Sequence, residues 1–314
     1  MEPRQTAVGH RRRQVVVLAA GDGSRFTPSD VPKHLAVLAG ETILGRVVRL
    51  WVGHCDALSV IVPPELVEQY RSNISGAASL IPRSQRPTSN SLKYREALRA
   101  WDGASDLVIV FGDVFFTQAA IETISHKAVD DEFLFFCRFG ASPVTGAIWG
   151  EPHAIYVPAS RIGSFRDSVD LVHSSFLSGE LWRDGGWEIA KALSGVPVAR
   201  MHRHIRLPSY VEIDDLSDDI DYLQDYQRMV DLVPQDLDEA IERLSRLSRF
   251  TAQLLISYTR VHEPLDTHDV IAAVMNGRSI SWPRKSSPTS RAMRFTRRYA
   301  RGAARRITRG LGRT

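Results

Sequence analysis

The sequence predicts an α/β fold in which a mixed, mainly parallel sheet is covered by helices and followed by a helical extension. Over the first 140 residues, short β-branched runs alternate with helical patterns about every 30 residues. Strands that alternate with helices in this way usually form a parallel sheet. From residue 218 onward the pattern is helical, which predicts the extension.

Strands are predicted where short apolar runs are bounded by turn residues. These runs lie at 15–20, 58–62, 79–81, 107–111, 133–139, 154–157 and 210–213. One helix is predicted to begin at residue 42, and the others lie at 92–101, 119–128, 164–177, 187–193, 218–232, 236–261 and 267–275. Residues 140–213, which are rich in glycine and proline, are predicted to close over one edge of the sheet.

The charge of the chain is unevenly distributed. Its 314 residues carry a formal charge of +4, yet residues 284–314 hold eleven Arg and Lys and no acidic residue. Residues 1–283 therefore contain 29 basic and 36 acidic residues, a formal charge of −7. The composition is that of a globular protein, and no apolar run reaches the roughly 20 residues of a membrane span. We expect a cytoplasmic protein, in which Cys55 and Cys137 fill the core.

The most informative segment is a glycine turn that follows the first predicted strand. Gly21 and Gly23 lack a Cβ, so the backbone there can approach a phosphate group closely. Arg25 and Lys33 add two separated positive charges, which suits an extended triphosphate. A dinucleotide-binding motif is excluded because Phe26 stands where a third glycine is required, and no P-loop motif occurs.

The segments L-A-A-G-D-G-S-R-F and P-K-H-L resemble the signature of the nucleotidyltransferase family, L-x-A-G-x-G-x-R followed by P-K-x-L. This family has a GT-A-like, Rossmann-like fold and includes sugar-1-phosphate nucleotidyltransferases and phosphocholine and phosphonate cytidylyltransferases. The resemblance covers about residues 14–230. It implies that Arg25 binds the β and γ phosphates, that Lys33 neutralises charge on the α phosphate, and that the nucleotide contacts Ala20, Gly21, Gly23 and Ser24.

Two carboxylates are candidate ligands for Mg²⁺. Asp113 follows the strand at 107–111, where a carboxylate at the carboxyl edge of a parallel sheet faces the ligand crevice. Glu212 and Asp214 alternate along the strand at 210–213 and share one face. Mg²⁺ commonly takes one or two protein carboxylates together with phosphate oxygens. The family resemblance of V-E-I-D-D-L-S-D-D assigns the metal to Asp214, with Asp215 as the alternative.

The sequence is less specific about the residues that contact the nucleobase and the acceptor. By resemblance, Asn90 and Ser91 contact the nucleobase, although Asn90 equally suits the N-cap of the helix at 92–101. Glu151, in a G-E segment similar to that of family members, is a candidate for acceptor binding or a surface turn. Three tryptophans could form a wall for a quaternary ammonium group or could belong to the core: Trp149, Trp182 and Trp187.

These features predict a Mg²⁺-dependent transfer of a nucleotidyl group from an NTP to a phosphorylated small acceptor, such as a sugar 1-phosphate or phosphocholine. The alternatives are a GT-A glycosyltransferase and a non-catalytic polyanion-binding protein. The expected organisation is a basic arm at 1–13, a catalytic domain at 14–232, helices at 233–283 that could pair two copies, and a basic tail at 284–314. The tail has the pattern of a segment that binds anionic lipid or nucleic acid, or that stays in solution.

Overall fold

The computed structural model describes residues 11–21, 25–26, 31–74, 76–129, 131–140, 142 and 150–233. A seven-stranded sheet forms its centre, with the strand order β10-β8-β9-β6-β1-β4-β5. Its strands are β1 (Arg13–Leu18), β4 (Ala57–Val62), β5 (Ser79–Pro82), β6 (Asp106–Phe111), β8 (Leu134–Cys137), β9 (Pro152–Val157) and β10 (Tyr210–Glu212). Two short antiparallel pairs flank it: β2 (Val37–Leu38) with β3 (Glu41–Thr42), and β7 (Val114–Phe115) with β11 (Asp218–Asp219).

Helices cover both faces of this sheet. The described helices are α1 (Ile43–Trp51), α2 (Val67–Arg71), α3 (Ser91–Ala100), α4 (Gln118–Lys127), α5 (Ile162–Leu177), α6 (Gly186–Leu193) and α7 (Leu223–Leu232). Because side chains alternate along a strand, Val15 and Val17 of β1 pack toward α1 and α4, while Val16 and Leu18 pack toward α3, α5 and α6. The mainly parallel α/β fold is therefore confirmed for the described part of the chain.

Strand β9 departs from the prediction for residues 140–213. It lies inside the sheet, antiparallel to both β6 and β8, and does not close over an edge. Its side chains at 153–157 are buried on both faces, since apolar groups of both helical layers pack against it. The prediction of a covering segment was wrong because a continuous apolar run is compatible with a central strand.

The predicted helix at 218–232 begins later than expected. Asp218 and Asp219 form strand β11, and the helix begins at Leu223. The predicted helices at 236–261 and 267–275 and the basic tail lie outside the described residues. Within the described ranges, no helix combines the length and apolar composition needed to cross a bilayer.

Candidate functional site

The candidate site lies where the parallel strands β1 and β6 end side by side. The amide of Gly112, after β6, donates to the carbonyl of Leu18 at 3.0 Å. A Cβ on Gly112 would lie 3.1 Å from both the Leu18 oxygen and the Ala19 Cβ, so the two chains approach more closely than most side chains permit. Gly21 and Asp113, which follow these strands, are thereby held at the same edge of the sheet.

Lys33 is a buried cation at the centre of the site. It begins a single 3-10 turn (Lys33–Leu35) after Pro32, and only 7% of its surface is exposed. Its Nζ atom forms an ion pair with Asp113 and donates to Oδ1 of Asp221 at 3.0 Å. Burial alone would lower the pKa of Lys33, but the negative charges of Asp113, Asp219 and Asp221 raise it above its ordinary value. Lys33 is therefore a fixed positive charge.

Three carboxylates surround this cation. Asp113, Asp219 and Asp221 each place one carboxylate oxygen within 4.8 Å of those of the other two. Burial would raise the pKa of Asp113, but the positive charge of Lys33 holds it well below its usual range. The pKa of Asp219 is instead raised by burial and by the neighbouring charge of Asp113. Its Oδ1 atom is buried and has no hydrogen-bond partner among the described residues.

Local backbone pairing explains how Asp219 and Asp221 reach the site. Strand β11 pairs with β7 directly after Asp113, with Asp219 opposite Val114. The amide of Ile220 donates to the backbone carbonyl of Asp113 at 3.1 Å, which aligns the two segments. The chain then enters α7, where the Asp225 carboxylate accepts from the Tyr222 amide at 2.9 Å in a capping box.

Asp214, the residue expected to bind the metal, is not part of this group. Strand β10 ends at Glu212, and the amide of Ile213 donates to the carbonyl of Cys137 at 2.9 Å. The chain leaves the sheet there, so the Asp214 side chain is 73% exposed, with an oxygen 3.7 Å from Arg138. Asp215, the alternative, accepts from the Thr117 hydroxyl at 2.5 Å. The candidate metal ligands therefore change to Asp113, Asp219 and Asp221.

The glycine turn is described in part, since Gly23 and Ser24 lie outside the described residues. Arg25 is 58% exposed, and its Nη2 atom lies 2.7 Å from Oδ2 of Asp221. Burial works to lower the pKa of Arg25, but the Asp221 charge raises it overall. A Cβ on Gly21 would have no described heavy atom within 4 Å, so no described side chain crowds the backbone there. Ala20 is buried, and its carbonyl accepts from Arg83 at 2.6 Å.

A cleft of about 590 Å³ opens beside these groups. Its lining includes Gly21, Arg25, Lys33, the three carboxylates and Glu151. The pKa of Glu151 is raised to about 7 by burial and by the negative charges of Asp221 and Asp218. Glu151 can therefore hold or release a proton near neutral pH.

The two predicted base-contacting residues have different environments. Asn90 is exposed and lines the cleft, and although it is the N-cap residue of α3, its side chain makes no cap hydrogen bond. Ser91 is fully buried, and its hydroxyl donates to Oδ2 of Asp184 at 2.6 Å. Asp184 also accepts from the amides of Asn90 and Ser91 at 3.3 and 2.9 Å, so it supplies the cap. Ser91 thus orders the loop, and only Asn90 faces the cleft.

Of the three tryptophans, Trp182 and Trp187 line the cleft, and Trp149 lies outside the described residues. Trp182 is 68% exposed, and the guanidinium carbon of Arg183 lies 3.9 Å from its ring centroid. This cation already occupies a face of the exposed ring. The arrangement differs from an aromatic wall left open for a quaternary ammonium group.

Comparison with known proteins identifies a family and structures of similar fold. Residues 15–168 match the MobA-like NTP transferase domain family. A nucleotidyl transferase structure from Methanothermobacter is similar in fold, with a TM-score of 0.50 and 20% identity over 71% of this chain and 97% of that chain. No curated protein matches the sequence.

Two further solved structures are similar at lower scores. The CTP:phosphocholine cytidylyltransferase of Streptococcus pneumoniae has a TM-score of 0.46 and 13% identity, over 70% of this chain and 99% of that chain. The inositol-1-phosphate CTP transferase of T. maritima has a TM-score of 0.49 and 11% identity, over 70% and 95% of the two chains.

Proposed function

We propose that this nucleotidyltransferase, whose residues 15–168 match the MobA-like NTP transferase domain family, joins a nucleoside monophosphate from an NTP to a phosphorylated small acceptor with the help of Mg²⁺. An oxygen of the acceptor phosphate attacks the α phosphorus, the bond from that phosphorus to the β-phosphate bridging oxygen breaks, and pyrophosphate leaves. The observation that carries the proposal is the buried Lys33, held among three carboxylates beside the cleft.

The three carboxylates suit a magnesium ion. They offer hard oxygen ligands, and the buried Oδ1 of Asp219 lacks a hydrogen-bond partner among the described residues. Asp113 would hold the ion with Asp219 or Asp221, leaving other positions to phosphate oxygens and water. A bound Mg²⁺ would neutralise phosphate charge and orient the phosphate oxygens.

Lys33 and Arg25 would balance the phosphate charge that Mg²⁺ leaves uncompensated. Both reactants are anions, so the protein must reduce their repulsion and align them. Lys33, whose pKa is raised, stays protonated near neutral pH and would stabilise charge that develops on the α phosphate. Arg25 is more exposed and forms one ion pair with Asp221, so it can turn to the β and γ phosphates when NTP enters.

The other assignments follow from positions in the cleft. Because no described atom lies near a Cβ position on Gly21, the backbone there would be able to approach the phosphates, and Gly23 and Ser24 are proposed to share this role. The buried Ala20 would support the turn from behind. Asn90 is proposed to contact the base and Glu151 the acceptor, since both line the cleft. Ser91 is left out of the base contact because its hydroxyl is already bonded to Asp184.

We assign no role in this reaction to residues 234–314. Contact of the basic tail with anionic lipid or nucleic acid, pairing of two copies through the C-terminal helices, and a cytoplasmic location stay predictions. Deletion of residues 284–314 should leave nucleotidyl transfer to a soluble acceptor unchanged, whereas a polyanion-binding protein would lose its function.

The test is a pyrophosphate-release assay on the full chain. Each NTP is incubated with and without Mg²⁺ and with sugar 1-phosphates, phosphocholine and phosphonates. In a parallel series nucleotide-sugars replace the NTP as donors, and release of the nucleoside diphosphate is measured. We expect Mg²⁺-dependent release with at least one pair, which is lost in the double variant Lys33→Ala, Asp113→Ala and retained in Lys127→Ala, where an exposed lysine of α4 is removed. Release no greater than that of the double variant with every pair would contradict the proposal, and turnover of a nucleotide-sugar alone would indicate a glycosyltransferase.

A further inference from the structure

A second cavity of about 510 Å³ lies beside the cleft. The two cavities have four lining residues in common, which form a shared wall: Trp182, Arg183, Trp187 and Glu188. The chain also links them, because Gly150 lines the second cavity and the next residue, Glu151, lines the cleft. A ligand bound in the cleft therefore has a second recognition surface directly next to it.

An aromatic cluster forms one part of the second cavity. The ring centroids of Trp187 and Tyr210 are 5.5 Å apart, and that of Phe139 lies 5.8 Å from Tyr210 and 6.3 Å from Trp187. Tyr210 is only 9% exposed, and its buried hydroxyl has no hydrogen-bond partner among the described residues. Buried hydroxyl groups normally have a partner, so this oxygen is a candidate hydrogen-bonding group for a ligand.

Positive charge dominates the rest of the lining. Among the described residues, four Arg or Lys side chains and one Glu line the cavity, together with His202 and His204. Two guanidinium groups lie over aromatic rings, that of Arg183 over Trp182 at 3.9 Å and that of Arg206 over Phe139 at 4.5 Å. Planar cations positioned in this way suit a carboxylate or phosphate, which they can bind through two hydrogen bonds.

The contacts of Lys191 and Arg206 with neighbouring groups are compatible with an anionic ligand in this cavity. Lys191 is buried and donates to the carbonyl of Met201 at 2.6 Å, with Oε1 of Glu188 3.9 Å away. Arg206 is 73% exposed and has one longer contact, 3.4 Å, to Glu212. The cationic excess argues against a quaternary ammonium group, which would meet like charges beside the aromatic rings.

From this arrangement we infer that the second cavity holds a second anionic group of the acceptor. The acceptor would be a ring compound whose reactive phosphate lies in the cleft and whose carboxylate or second phosphate contacts Arg203 and Arg206, with the ring against Trp187 and Tyr210. This inference rests on the proposed function, since it assumes that the cleft binds the acceptor. It narrows the substrate class to bis-anionic acceptors.

The experiment compares two probes that differ in one group. Glucuronic acid 1-phosphate carries a carboxylate where glucose 1-phosphate carries a hydroxymethyl group. Binding of each to the full chain is measured by calorimetry at constant ionic strength, and pyrophosphate release is measured with each NTP. The variants are the double variant Arg203→Gln, Arg206→Gln, the conservative Arg206→Lys, and Arg200→Gln, which removes an exposed charge from the same segment but outside the cavity.

We expect glucuronic acid 1-phosphate to bind at least about tenfold more tightly than glucose 1-phosphate, as one charged hydrogen-bonding contact would allow. The double variant should lose this preference without a change in affinity for glucose 1-phosphate, Arg206→Lys should keep part of it, and Arg200→Gln should keep all of it. Equal affinities, no binding of either probe, or the same loss in Arg200→Gln would overturn the inference. A charge preference that depends on Arg203 and Arg206, without turnover of any acceptor, would contradict the proposed function and not the anion site.

Discussion

Residues 212–218 and 219–225 are two consecutive segments with the same pattern, Glu or Asp followed by Ile-Asp-x-Leu-x-Asp. In both, the isoleucine is buried in an apolar cluster. The central carboxylates differ sharply, because Asp214 is 73% exposed and Asp221 is 22% exposed. Asp221 contacts Lys33 and Arg25, whereas Asp214 has an oxygen 3.7 Å from Arg138.

The difference lies in what surrounds each segment. The first segment begins with the last residue of β10 at the edge of the sheet, and the buried Arg138 donates to the backbone carbonyls of Asp215 and Ser217. The second begins with the last residue of β11, whose pairing with β7 brings it to Asp113 at the carboxyl edge. A sequence pattern of this kind therefore indicates candidate metal ligands. The tertiary surroundings of each segment decide whether its carboxylates face a structural arginine or the candidate site.

The largest effect on activity is expected from removing Lys33, the cation that contacts Asp221 of the second segment. Lys33→Ala should lower kcat by about 10³-fold, since preorganised charges of this kind contribute about that much to rate. The variant leaves three carboxylates without their buried partner, so Mg²⁺ should raise its melting temperature more than that of the wild type. Activity assays and thermal unfolding check both effects. Near-normal kcat, with Lys127→Ala as the control, would contradict the assignment.

Removal of Arg138, the cation that contacts the first segment, should lower the stability of the fold and leave catalysis intact. Arg138→Met leaves the carbonyls of Asp215 and Ser217 without a buried donor, so we expect a loss of about 2 to 3 kcal/mol in the free energy of unfolding. Activity per folded molecule should stay within about threefold of the wild type. Chemical denaturation and an assay corrected for the folded fraction provide the measurements, with exposed Arg166→Met as the control. An unchanged stability with a large loss of activity would reverse the roles of the two segments.

A smaller, pH-dependent effect is expected at Glu151. Its pKa in the folded state is about 7, against an ordinary value of 4.5, so the folded protein binds this proton more tightly than the unfolded chain. The resulting stabilisation is present below the ordinary pKa and is lost as the pH rises through about 7. Glu151→Gln should therefore stabilise the metal-free protein by on the order of 1 kcal/mol at about pH 8 and have no such effect at about pH 4.

Chemical denaturation of the wild type and of Glu151→Gln between about pH 4 and pH 8 measures this difference in stability. Because Asp221 is one cause of the raised pKa, the benefit of Glu151→Gln should shrink in an Asp221→Asn background. An effect that is the same at every pH would show that Glu151 does not titrate in the way described.

Much of the fold was predictable from the sequence because the parallel strands are short, apolar and bounded by turn residues. β1, β4, β5 and β6 lie within one or two residues of their predicted bounds. The position of β9 was not predictable, since its place between β6 and β8 depends on long-range pairing. The start of α7 was missed because the acidic run at 218–219 looks like a helix cap, and its pairing with β7 is a tertiary contact.

At the candidate site, too, residues in local motifs were predictable and long-range contacts were not. Lys33, Arg25 and Asp113, which the structure brings together at the cleft, could be selected as candidates from the sequence. Arg25 belongs to the glycine turn, Lys33 to the P-K-H-L segment, and Asp113 follows a recognisable strand. Asp219 and Asp221 were missed although a signal was present, namely the second copy of the Ile-Asp pattern at 220–221. No sequence signal points to Asp184, whose contact with Ser91 joins residues 93 positions apart.

The role of Asp221 in catalysis is tested most directly by comparing Asp221→Asn with Asp214→Asn in Mg²⁺-dependent pyrophosphate release. Both variants remove one carboxylate charge from the same position of the repeated pattern. We predict a loss of at least about 100-fold for Asp221→Asn, as expected for a charged group in direct contact with the reacting phosphates or their metal, and a change of less than about twofold for Asp214→Asn. Equal losses in both variants, or a larger loss in Asp214→Asn, would contradict the account.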